Sequence, residues 1–246
     1  TATVSWIDKS APTVTRFVIP AASATLTVVI ANNDFTATDN VAVTGYQITE
    51  TATAPDPVAP GWSATAQTSY TFTSEGAKAL YGWAKDAAGN VSASLSATVT
   101  IKIPRLTIGS TLSRPGAQIV VPVAIDDIAS VDSFNMTVFY DTQALQGGIK
   151  NASGNVIYTD TTGTLTQIYI VVDNGKVPGK VEIGGVYDKT LPTGGGIFLK
   201  LLFTVQESFM GVTQINLSFL DDPGNDLREA IVVPGTVTVD GLPPIN

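Results

Sequence analysis

Cysteine and histidine are both missing from the 246 residues. Without cysteine there are no disulfides, thiol nucleophiles or thiolate metal sites. Without histidine there are no imidazole ligands and no Ser-His or Cys-His arrangement. Charge is also scarce, at 14% of residues, with 13 Lys and Arg against 21 Asp and Glu and a formal charge of −8. Such an acidic chain is a poor partner for nucleic acid. No apolar run is long enough to span a bilayer as a helix, and no signal peptide begins the chain. No long stretch shows the three-to-four residue apolar spacing of an amphipathic helix. The redox compartment stays open, because an exported bacterial protein and a cytosolic one both fit a chain without cysteine. The sequence opens on Thr1, and the expectation is a piece excised from a longer protein.

Hydrophobic residues make up 44%, and 22 Gly and 14 Pro punctuate the chain. Val, Ile and Thr are abundant. β-Branched residues suit strands and Gly/Pro clusters suit turns, so the expected fold class is all-β. The segment "ATVTIKIPRLTIGSTLSRPGAQ" marks a boundary. A Thr/Val strand ends near Ile103, Pro104 interrupts it, and a new strand begins at Leu106. Two β-sandwich modules are therefore expected, residues 1–103 and 104–246. The texture changes there as well, with only seven of the 21 acids in the first module.

The first module reads as short strands, "TLTVVI", "VTGYQIT", "SYTFT", "LYGWAK" and "SATVTI", at the spacing of an antiparallel sandwich. In the turn "KDAAGN", Asp86 is expected to bond backbone amides and Gly89 to adopt positive φ. "TATVSW" echoes "SATVTI", so residues 1–7 read as the last strand of a preceding module. The second module carries "RLTIG", "QIVVPVAI", "FNMTVFYD", "TQIYIVVD", "KVEIGGVYD", "GIFLKLLFTV", "QINLSFL" and "GTVTVDG". Eight or nine strands in that length suit a jelly roll or large sandwich.

"DKSAPTVTRFVIP", "FTATDNVAVTGYQITE", "GWSA" and "LYGWAKDAAGNVSAS" resemble bacterial immunoglobulin-like repeats of large surface or secreted proteins, over residues 8–103. That resemblance implies a spacer or display role. "GAQIVVPVAI", "SFNMTVFYDTQAL", "GGIFLKLLFTV" and "NDLREAIVVPGTVTVDG" resemble, in order, pieces of a cohesin domain, the receptor half of the cohesin–dockerin pair of cellulosomes. This covers nearly all of residues 105–241. The middle, "GGIKNASGNVIYTDTTG", and the loop "DKTLPTGGG" depart from the family pattern. The resemblance implies a non-catalytic module that binds a dockerin-like protein, in an exported protein at the bacterial surface. The rivals are a carbohydrate-binding module and a structural stalk segment, with a carboxylate glycosidase the least favoured.

Asp126, Asp127, Asp132, Asp141, Asp173, Asp188, Asp221 and Asp222 are available for a hydrolytic pair, but most sit at strand ends or turns, where Asp is a turn former. "DDPGND" gathers Asp221, Asp222, Asn225 and Asp226, hard oxygen ligands around a turn. It reads either as an acidic turn or as a structural calcium site, and it lacks the twelve-residue calcium-loop pattern. Asp39-Asn40 and Asp86/Asn90 could converge at one end of the first sandwich, as caps on tight turns or as calcium ligands. Trp83 lies within a strand and reads as core. Trp62, beside Gly61, reads as a loop residue plugging one end of the sandwich.

In "DSFNMTVFYD", Phe134, Met136, Val138 and Tyr140 alternate with Ser133, Asn135, Thr137 and Phe139. The first set reads as core. The second is polar except for one ring, and the cohesin resemblance places it on the partner-binding face. Beside it, Gly184 and Gly185 in "KVEIGGVYD" read either as a flat patch that a partner backbone approaches closely or as a β-bulge.

Overall fold

Alternating β-branched and polar residues put successive side chains on opposite sides of a strand, and the sheets follow from that. The structure, a computed structural model, describes residues 8–128, 131–174, 177–187, 194–222 and 225–240, with the backbone alone for 167–174 and 187. The residues proposed as a strand of a preceding module, Trp6 among them, lie outside the described ones, as does Asp188 with most of its loop. The described residues are strands and turns, with one short 3-10 helix, Leu165–Ile168. No helix among them is long and apolar enough to cross a membrane. The chain divides into two compact units between Lys102 and Ile103.

The N-terminal unit holds β1 (Thr13–Phe17), β2 (Ala22–Ser23), β3 (Thr27–Val29), β4 (Phe35–Thr38), β5 (Gly45–Thr49), β6 (Ser69–Thr71), β7 (Gly76–Lys85) and β8 (Leu95–Ile101). A four-stranded sheet runs β2-β8-β7-β5, and β1 pairs β4 while β3 pairs β6. Val14, Phe17, Ile30, Phe35, Phe72, Leu80, Val99 and Ile101 form its core. Gly82 is required by packing, since a Cβ there would lie 2.9 Å from the Phe17 ring and 3.0 Å from that of Phe35. Trp83 is buried as expected and donates from Nε1 to Thr49 Oγ1. Gly89 has φ +90°, and Asp86 accepts the Asn90 amide across the turn, both as the turn chemistry required.

The C-terminal unit holds β9 (Arg105–Ile108), β10 (Thr111–Ser113), β11 (Gln118–Ile125), β12 (Ser133–Tyr140), β13 (Leu145–Gly147), β14 (Ile149–Lys150), β15 (Val156–Ile157), β16 (Thr159–Asp160), β17 (Tyr169–Asn174), β18 (Lys180–Tyr187), β19 (Gly196–Val205), β20 (Gly211–Phe219), β21 (Ile231–Val233) and β22 (Gly235–Val239). One sheet has the order β10-β22-β20-β12-β18-β17, the other β13-β19-β11-β9-β21 with β16 on β19. The pairs β10–β22 and β9–β21 are parallel, and the remaining pairs in these two sheets are antiparallel. Their inner faces close over Leu106, Ile108, Val121, Val123, Phe134, Met136, Val138, Ile183, Phe198, Leu201, Phe203, Ile215 and Val237. The Phe134 and Phe198 rings meet edge-on, centroids 4.8 Å apart. Face-to-face packing of this kind is the sandwich solution for sheets with one apolar face.

Candidate partner-binding face

β12 is central in its sheet, so both its faces are defined by neighbours. Phe134 is 3% exposed, and Met136 and Val138 are fully buried. Asn135 and Phe139 are exposed on the other side, with Ser133 and Thr137 half-buried between neighbouring strands. Phe139 is 43% exposed. The alternation read from the sequence is thus the alternation of the strand.

Strand pairing supplies the rest of the outer face. On one flank, Asn135 lies opposite Gly184, Thr137 opposite Glu182 and Phe139 opposite Lys180. On the other, Thr137 lies opposite Ser218 and Phe139 opposite Asn216. A depression of about 590 Å³ is lined by Asn135, Thr137, Glu182, Gly184, Ser218 and Leu220, among others. Exposed apolar groups stand at its edges, Phe139 at one end and Val186 and Leu220 at the other. Lys180 and Glu182 form an ion pair there, with both side chains more than a third exposed. Such a pair contributes little to stability in water. It offers both signs of charge to a partner.

The two glycines separate. Gly184 belongs to this face, but Gly185 is buried on the core side, opposite Phe134. The β12–β18 register runs unbroken from Phe139–Lys180 to Ser133–Val186, so there is no bulge at the pair and adjacent residues point opposite ways. Gly185 is therefore withdrawn from the surface. A Cβ on Gly184 would meet only the Phe134 carbonyl oxygen, at 3.5 Å, an ordinary contact. The flatness at Gly184 is not forced by packing.

In the acidic turn, Asn225 and Asp226 bond backbone groups of β12 and its entry. Asn225 is 2% exposed. Its Oδ1 accepts from Asn135 N and Leu227 N, and its Nδ2 donates to Asn135 O and Leu220 O. β20 pairs with β12 only as far as Phe219–Met136. Beyond that point the side-chain amide takes over from the strand, giving Asn135 N and Leu227 N an acceptor and adding a second donor to Asn135 O and Leu220 O, which also accept Leu220 N and Asp222 N. Asp226 extends the clamp, with Oδ2 accepting from Asp132 N and Ser133 N at 2.8 and 2.9 Å. Burial pushes the Asp226 carboxyl above its ordinary range, outweighing these bonds, and the charge of Asp132 adds to the rise. Asp221 and Asp222 are exposed. Among the described residues, the acidic trio close enough to share an ion is a different one.

Sequence reasoning placed Ser133, Asn135, Thr137, Phe139 and Gly184 correctly on one face. It missed Lys180, Ser218 and Leu220. The alternation in "KVEIGGVYD" and "QINLSFL" carried that signal, but only pairing brings the strands beside β12. Asp141 acts as a turn former, accepting from Gln143 N, while Asp126 accepts from Arg105 N at the end of the neighbouring strand β9. The Asp173 side chain and all of Asp188 are outside the described set. Trp62 donates from Nε1 to Asp56 O, and Lys85 Nζ stands over its ring at 5.1 Å, so that face of the ring is already occupied.

No curated protein matches the chain. Among solved structures it is similar to the seventh ScaB type I cohesin from Pseudobacteroides cellulosolvens, with 20% identity, 58% of this chain and 96% of that one covered, and a TM-score of 0.42. It is similar to a non-cellulosomal cohesin from the hyperthermophilic archaeon Archaeoglobus fulgidus, with 20% identity, coverage of 56% and 91%, and a TM-score of 0.42. A type I cohesin–dockerin complex of OlpA from Clostridium thermocellum matches with 18% identity, coverage of 56% and 100%, and a TM-score of 0.41. The sequence of the second unit decides the assignment: the cohesin domain family matches residues 104–239, more than half of the chain, and the chain belongs to that family.

Proposed function

We propose that the C-terminal unit is a non-catalytic receptor module that binds a dockerin-like protein through the outer face of β12, β18 and β20. The observation that carries this is Phe139, 43% exposed on a central strand among groups able to exchange water for partner hydrogen bonds. Interface centres use such an apolar anchor inside a polar surround. The N-terminal unit is read as an immunoglobulin-like spacer, and the parent as an exported or surface protein of a bacterium. Cohesin membership supports the partner class.

The test is affinity capture from the secretome of the source organism with wild type and Phe139→Ala as baits. The expected result is capture of a protein carrying a duplicated calcium-loop segment, lost with Phe139→Ala while the variant stays folded. Equal capture by both baits, or retention on insoluble polysaccharide with no protein captured, overturns the proposal.

A further inference from the structure

Three acidic side chains of the N-terminal unit, far apart in sequence, meet at one end of its sandwich. Asp8 precedes β1, Asp39 follows β4 and Asp86 follows β7. One carboxylate oxygen from each lies within 4.8 Å of the others. Two ligands of one calcium ion are separated by at most two bond lengths of about 2.4 Å, so this spacing lies within its reach. Acidic groups often cluster on surfaces without an ion, so the surroundings have to decide.

Asp86 is 4% exposed. Its Oδ1 accepts the Asn90 backbone N–H at 2.8 Å and its Oδ2 accepts the Asn90 side-chain amide at 2.7 Å. These bonds fix the buried side chain in one orientation at this end of the unit. The same Asn90 Nδ2 donates to the backbone oxygen of Asp8, tying the start of the unit to this turn.

Asp39 supplies the second observation. Its Oδ2 accepts from Val41 N and Ala42 N, both at 3.0 Å. Its Oδ1 is buried from solvent and has no hydrogen-bond partner. Orphaned buried polar atoms are rare in folded proteins, and each one calls for a water or an ion. Among the described residues, none of the three carboxylates is paired with a Lys or Arg. A water would satisfy the Asp39 oxygen but would leave three like charges together. A cation resolves both.

We propose that Asp8, Asp39 and Asp86 form a calcium site that clamps the segment entering β1 to the turns after β4 and β7. An all-oxygen donor set selects a hard cation. Magnesium keeps several waters and takes one or two carboxylates, whereas calcium accepts three directly and completes a shell of six to eight oxygens.

The test is a calcium chloride titration of the EDTA-treated full chain, followed by the backbone amide resonances of Ser10, Val41, Ala42 and Asn90. The expected result is saturable movement of these amides, with a dissociation constant of about 0.1–1 mM, the range of extracellular modules. Asp39→Asn and Asp8→Asn each weaken binding at least about tenfold while leaving the remaining spectrum folded. Asn at position 39 can still accept from Val41 and Ala42, which keeps the turn intact. Amides that stay still up to about 10 mM calcium, ten times the weak end of that range, overturn the site. Movement that persists in both variants, or that centres on Asp221 to Asp226, overturns it equally.

Discussion

Phe134 and Phe139 are the same residue type on the same strand, yet one is 3% exposed and packed edge-on against Phe198 while the other is 43% exposed beside Thr137 and Lys180. The inner face of this sheet consists of apolar side chains that already have partners. The outer face offers hydrogen-bonding groups with apolar edges and has its partners still to find. The difference teaches that the parity of a residue's position on the strand decides whether it packs in the core, and under the proposed function stability and binding can then be perturbed separately.

The largest expected effect tests that parity. Phe134→Ala leaves a cavity against Phe198 and should lower unfolding free energy by about 3–5 kcal/mol. Phe139→Ala should stay within about 0.5 kcal/mol of wild type. Thermal melting of the two variants decides it. If they melt together, the faces are not distinct.

Next in size is Asn225→Ala. It removes four hydrogen bonds that finish β12 where β20 has ended. The backbone groups left behind are partly buried, so a loss of about 2–4 kcal/mol is expected. Amide exchange should accelerate at Asn135 and Leu227, the two N–H groups bound to Oδ1. Unchanged exchange there would show that water replaces the side chain at no penalty.

On the outer face the effect should appear in binding alone. Phe139→Ala should weaken partner binding by about ten- to a hundredfold, from the roughly 1.5–3 kcal/mol of burying one Phe side chain. Gly184→Arg should do so at least about tenfold, because it fills the depression while its Cβ meets nothing closer than 3.5 Å. Its melting temperature should hold or rise, since glycine is a poor strand residue. A variant that folds and binds as wild type would move the contact surface elsewhere.

The smallest effect concerns Asp226, which clamps the entry to β12. Its folded pKa is raised, chiefly by burial. The stability it contributes is therefore full below the ordinary carboxylate value and is lost as pH rises through the raised folded value. Asp86 in the N-terminal unit has the opposite sign. Its folded pKa is lowered, so its contribution is present above the ordinary value and lost as pH falls through the folded one. Asp226→Asn keeps an acceptor for Asp132 N and Ser133 N without the charge. It should equal or exceed wild type in melting temperature at neutral pH and lose that advantage as pH falls toward the carboxylate range. An advantage that grows on acidification would contradict the assigned direction.

Much of the fold was legible because its signals are local. Alternation in "SFNMTVFY" follows from strand geometry and placed Phe134 inside and Phe139 outside. "KDAAGN" declared its turn through Asp86 and a glycine at φ +90°. The sequence groups Gly184 and Gly185 as one feature, a flat patch or a bulge, whereas regular pairing keeps Gly184 on the outer face and turns Gly185 inward. By residue type, Asn225 and Asp226 fit either an acidic turn or an ion site, and residue type does not say which backbone groups they bond. Their partners on β12 and at its entry, Asp132, Ser133 and Asn135, lie about ninety residues earlier in the chain, and nothing in "DDPGND" names them.

The sequence by itself determined the all-β class, the change of texture near Pro104, the two faces of β12 and the absence of histidine and thiol chemistry, because each depends on residue type or on neighbours along the chain. Only the tertiary structure decided which strands flank β12, that Lys180, Gly184 and Ser218 surround its outer residues, that an asparagine side chain finishes the sheet, and that Asp8, Asp39 and Asp86 converge. Strand register and loop convergence are set by pairing between distant segments. A one-residue slip would reverse every face while leaving each local pattern unchanged.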